Sequence, residues 1–124
     1  MSTIENELLK VPREVSIGYE TIRIFRPEDI ASMQAGYSRS PDGTSLVGSG
    51  AGDWLPQWTV IGCGEMCGDP IFVDTSAAGF PVFTAIHGEG RWDAKKIAVS
   101  LKAFGEALAA LAVLARGPRT SYRP

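Results

Sequence analysis

Hydrophobic and polar positions change their period along this chain. Ile97, Leu101, Phe104, Leu108, Leu111 and Ala115 recur at spacings of three and four. That spacing predicts an amphipathic helix from Ala94 to about Ala115, capped by Asp93, with Val113 and Leu114 widening the apolar stripe. Gly117-Pro118 is the stop signal that follows. Gly105 inside the helix costs about 1 kcal/mol against alanine, which points to close packing at that position. Upstream the pattern is strand-like. Trp58-Thr-Val-Ile61, Pro70-Ile-Phe-Val-Asp74 and Phe80-Pro-Val-Phe-Thr-Ala-Ile86 are short apolar runs separated by turn residues, which predicts a three-stranded antiparallel meander. Pro81 lacks an N–H and belongs at a strand start or edge. Val15–Ile17 and Tyr19–Phe25 alternate around Gly18 and read as a strand or a bent pair. Ile4–Lys10 forms a short helix ended by Pro12, and Pro27-Glu-Asp-Ile30 a helical turn closed by Gly36.

Composition sets the bounds. The chain has 124 residues, 44% hydrophobic and 21% charged, which suits one soluble domain, taken as residues 1–117 with a flexible tail at 118–124. No apolar run reaches the roughly 18 residues of a membrane span. The N-terminal residues lack a basic and an apolar signal region, and two cysteines are too few for a disulfide scaffold, so the expected compartment is the cytoplasm with both thiols reduced.

The net charge of −2 hides a strong asymmetry. Residues 1–41 carry −1. Residues 42–93 set Asp42, Asp53, Glu65, Asp69, Asp74, Glu89 and Asp93 against Arg91 alone, giving −6, and residues 94–124 carry +5. An acidic segment repels phosphate and disfavours nucleic acid as the partner there; it suits a basic protein.

Candidate chemistry is sparse. Cys63 and Cys67 have Cys-x3-Cys spacing with no second pair, which is neither a zinc framework nor the redox Cys-x2-Cys motif. His87 is the only histidine, and no nucleophile or orienting group is fixed beside it. Asp69 and Asp74 flank one strand at odd spacing, on opposite faces, which makes them turn residues and not an acid–base pair. Gly48-Ser-Gly-Ala-Gly52 lacks the Lys-Ser/Thr of a phosphate loop. No catalytic residue, metal or cofactor is expected. Trp54 and Trp92 lie in predicted loops and are the candidate partner anchors, whereas Trp58 lies in a strand and belongs to the core.

Taken in order, Trp58-Thr-Val-Ile-Gly62, Gly68-Asp-Pro-Ile-Phe-Val-Asp74, Gly79-Phe-Pro-Val-Phe83, His87-Gly88 and Ile97-Ala-Val-Ser-Leu-Lys-Ala-Phe104 resemble the SUKH superfamily over about residues 54–112. That group includes fungal regulators of cell-wall glucan synthesis and bacterial toxin-immunity proteins. The resemblance implies an α+β fold: a mixed, mainly antiparallel sheet with helices packed against it and a long C-terminal helix. It also implies a binding protein without catalytic residues. The expectation is an immunity protein that neutralises a toxin, such as a basic nuclease domain, by stoichiometric binding; the alternative is a regulatory or scaffold module with no toxin partner. The expected partner-binding residues are Asp42, Asp53, Trp54, Glu65, Asp69, His87, Glu89, Trp92 and Asp93.

Overall fold

The computed structural model describes residues 2–16, 20–40, 42–48, 50, 52–65, 68–86 and 91–121. It is an α+β fold built on one six-stranded sheet. Helix α1 (Ser2–Leu9) precedes β1 (Glu14–Ser16) and β2 (Thr21–Ile24). Two 3₁₀ turns (Pro27–Asp29 and Ser32–Gln34) open a long excursion to residue 57. Then come β3 (Trp58–Gly64), β4 (Pro70–Asp74), β5 (Val82–Thr84), β6 (Lys95–Ala98) and helix α2 (Leu101–Ser121). The strand order is sequential, β1 to β6, and every pairing between these strands is antiparallel. The predicted meander is therefore its centre, the β1–β2 hairpin extends it on one side, and β6 adds to the other.

Strand β6 was not expected. Its residues, Lys95–Ala98, sit where the helix was predicted to begin, and Ile97 is 46% exposed on it. The helix starts at Leu101, seven residues after the predicted start at Ala94, because Ser100 is its cap: its Oγ accepts the Ala103 N–H (3.0 Å), and its carbonyl accepts from Phe104. Asp93 instead pairs with Lys95 at 3.3 Å. The backbone edge of β5 is what β6 satisfies, pairing Val82, Phe83 and Thr84. At its other end α2 runs through Gly117-Pro118, the predicted stop, to Ser121.

Register and pleat divide the core between two faces. Val15 faces Ile22 across β1–β2, and Val73 faces Val82 across β4–β5; these residues, with Ile24 and Ile71, lie on the helix side. There Ile4 and Leu8 of α1 and Leu101, Phe104 and Leu108 of α2 are buried. Gly105 serves the close approach inferred for it: a Cβ there would lie 3.0 Å from Val11 Cγ2. On the opposite face Val60, Phe72 and Phe83 stand in register, and the excursion covers them.

The excursion is fastened by Gln34. Strand β2 ends at Ile24, opposite Gly62, which leaves the preceding part of β3 without a strand on that side. The buried Gln34 amide takes that place. Its Oε1 accepts the Val60 N–H (2.9 Å), and its Nε2 donates to the carbonyls of Val60 (2.9 Å) and Ile30 (2.8 Å).

Candidate functional site

Three connections leave the same end of the sheet. The register pairs Ser16 with Thr21, Ile22 with Gly64, Cys63 with Pro70 and Thr84 with Lys95. The β1–β2, β3–β4 and β5–β6 connections therefore emerge side by side. The excursion reaches this end too. The Tyr37 hydroxyl donates to the Gly68 carbonyl (2.8 Å), and the Trp92 N–H donates to the Gly52 carbonyl (2.8 Å).

Aromatic rings form the floor. Trp54 is only 1% exposed. It packs against Tyr37 (centroids 5.9 Å), Trp92 (5.3 Å), Trp58 (5.2 Å) and Phe72 (4.8 Å). Among the described residues no acceptor meets its buried indole N–H. The expectation that Trp54 anchors a partner is corrected here: it already occupies the centre of the core's aromatic side, because the glycine-rich segment around it folds back onto the sheet. Trp92 keeps the role's requirement of access. It is half-buried, with its ring 5.9 Å from that of Tyr37, which is also half-buried. Burial raises the Tyr37 hydroxyl's pKa, with the negative charge of Asp69 adding to it.

The carboxylates have local partners. Asp53 accepts the Gly50 N–H at 3.0 Å. Glu65 is paired with Arg23, which also reaches Glu14 at 3.4 Å, and the hydrogen bond and charge of Glu65 raise the Arg23 pKa. Asp74 opens the next turn as expected, accepting from the Ser76 N–H (2.8 Å) and hydroxyl (2.6 Å). Asp42 closes a turn, accepting from the Ser40 hydroxyl and from the Thr44 N–H (3.0 Å); these bonds hold its pKa down to about 2. Glu65, Asp69, Trp92 and Asp93 thus share one end of the sheet, and Asp53 joins them through Gly52, where a Cβ would lie 3.1 Å from Arg91 Cβ. No described contact brings Asp42 to this group. His87 and Glu89 lie outside the described residues.

Tyr37 is the member of this site that the sequence reading missed. Its only signal is an aromatic residue between Gly36 and Ser38, in a stretch that otherwise reads as loop. Among the described residues no three His, Cys, Asp or Glu side chains converge in a way that could hold a metal ion. Cys63 is a free, half-buried thiol whose pKa burial raises, partly offset by Arg23; Cys67 lies outside the described residues. No described helix is long and apolar enough to cross a membrane.

The fold and site so described define an α+β domain with an aromatic-floored, acid-bearing sheet end. Comparison with protein-family models, with curated proteins and with solved structures finds no match to this chain.

Proposed function

We propose that this chain is a non-catalytic, cytoplasmic SUKH-like binding protein, an immunity protein that neutralises a basic toxin domain by stoichiometric binding at the acidic end of its sheet. The observation that carries the reading is the convergence there of half-buried Trp92 and Tyr37 with Glu65, Asp69 and Asp93, where three connections and the excursion meet. The order of the motifs resembling the SUKH pattern supports it as well. An aromatic pair in a carboxylate rim suits a protein partner: the rim speeds encounter with a basic surface, and the rings set how long the complex lasts. Arg23 is paired with Glu65 and Lys95 with Asp93, so a basic partner competes with these local cations for the rim carboxylates.

The test is binding kinetics against a basic nuclease toxin domain encoded beside this chain's gene, measured at two salt concentrations. Trp92→Ala should speed dissociation roughly thirtyfold, the scale of a hot spot of about 2 kcal/mol. Asp69→Asn with Asp93→Asn should slow association and flatten its salt dependence while leaving dissociation nearly unchanged. Absence of binding by the parent chain, or binding indifferent to both variants, would remove the reading.

A further inference from the structure

Where the open end of the β1–β2 hairpin meets the first turns of the excursion lies a cleft of about 270 Å³. Its charged lining is Arg13, Arg23, Arg26, Glu14 and Asp29, and Met33, 40% exposed, gives it an apolar wall. Three of the five bases in residues 1–41 thus meet in one place, outside the acidic 42–93 segment.

The three arginines are used differently. Arg23 is occupied, shared between Glu14 and Glu65. Arg13 is half-buried and fixed: its Nη1 donates to the Phe25 carbonyl (2.7 Å) and its Nη2 to the Leu8 carbonyl (2.9 Å). Both acceptors are neutral, and among the described residues no carboxylate pairs with Arg13. A guanidinium offers five N–H donors, so several of them remain. Arg26 stands exposed just before the first 3₁₀ turn, and among the described residues its side chain has no hydrogen bond or ion pair. Against these two uncompensated charges the cleft sets one carboxylate, Asp29, because Glu14 is taken by Arg23. One positive charge is left over.

We propose that this cleft binds a small organic monocarboxylate with an apolar body, its carboxylate held by Arg13 and Arg26. The guanidinium fork matches the planar carboxylate. Arg13 is already held in place by two carbonyls, so binding orders little there. The single surplus charge suits a monoanion, whereas a phosphate dianion would leave a negative charge uncompensated beside Asp29. Met33 offers a flexible, polarisable wall to an aliphatic body. The cleft shares no residue with Trp92, Tyr37, Asp69 or Asp93, so its ligand is independent of the protein partner proposed for the sheet end.

The probe is 4-methylpentanoate, titrated into the full chain at neutral pH and ~150 mM salt, where long-range charge effects are screened, and followed by NMR of the arginine side chains. Saturable shifts at Arg13 and Arg26 should give a Kd at or below ~1 mM. The uncharged 4-methylpentanamide should bind about tenfold more weakly or worse, and so should inorganic phosphate. Arg26→Gln should weaken the acid about tenfold without moving the urea midpoint, because that side chain supports nothing in the fold. Arg23→Gln should change binding less than about twofold, and Asp29→Asn should tighten it, since it removes the opposing charge. Shifts that do not saturate by ~10 mM acid overturn the proposal. So does an amide or phosphate that binds as tightly as the acid, or binding indifferent to Arg26→Gln.

Discussion

The Gln34 amide presents a donor and an acceptor much as a peptide group does, and Val60 uses both. Gln34→Leu keeps the apolar bulk but strands a buried N–H and a carbonyl. At ~1–3 kcal/mol per orphaned group, partly relieved by relaxation, the variant should lose about 2–4 kcal/mol of stability, read from its urea midpoint. Gln34→Glu should lose stability at neutral pH and regain part of it on acidification, because only the protonated carboxyl supplies a donor. Asp42 behaves in the opposite sense. Its folded pKa, about 2, lies below the ordinary aspartate value, so its contribution is present above the unfolded pKa and is lost as pH falls through the folded one. Carbon-detected NMR should place its midpoint near 2, and Ser40→Ala should move that midpoint upward, since the Ser40 hydroxyl is the largest cause of the shift.

At the level of elements, the two ends of α2 make separate predictions. Phe104→Ala opens a cavity in the face packed on the sheet and should cost roughly 3–5 kcal/mol. Ser100→Ala removes the cap and should cost ~1 kcal/mol; Asp93→Ala, at the position the sequence favours as cap, should cost far less. Both are read from thermal or denaturant midpoints. Gly105→Ala should fail to deliver the ~1 kcal/mol of helix propensity, because buried, β-branched Val11 has little room to yield. The contrast between Ser100 and Asp93 also shows where the sequence is legible. The strands around Val60, Phe72 and Val82 are apolar runs bounded by turn residues, and their local pattern suffices. Strand β6 is hidden because Ile97 falls in phase with Leu101 and Phe104 and two good caps stand seven residues apart; what decides is the unpaired edge of β5, a tertiary demand. Trp54 is hidden for a similar reason. Its glycine-rich neighbours announce a loop but not that the loop lies down on Phe72. Of the site, Trp92 and the acids of the sheet end are legible as loop residues, while their convergence and Tyr37 depend on the register.

For the whole molecule, one sheet separates two kinds of core. Aliphatic helices cover one face, and aromatic rings under the 25–57 excursion cover the other. The proposed partner site draws on the aromatic face, on the side of the sheet away from α2.

The sequential strand order has a consequence during synthesis. Each strand meets its neighbour as soon as the next one emerges, so the ladder grows by short-range closures that cost little chain entropy. The helix side is different: α2, the last element, packs against α1 and β1, the first. A nascent chain still holding α2 in the ribosomal tunnel therefore carries a largely paired sheet whose aliphatic face has only α1 to cover it. That interval, between strand pairing and the arrival of α2, is when the chain is most exposed to aggregation and most in need of a chaperone.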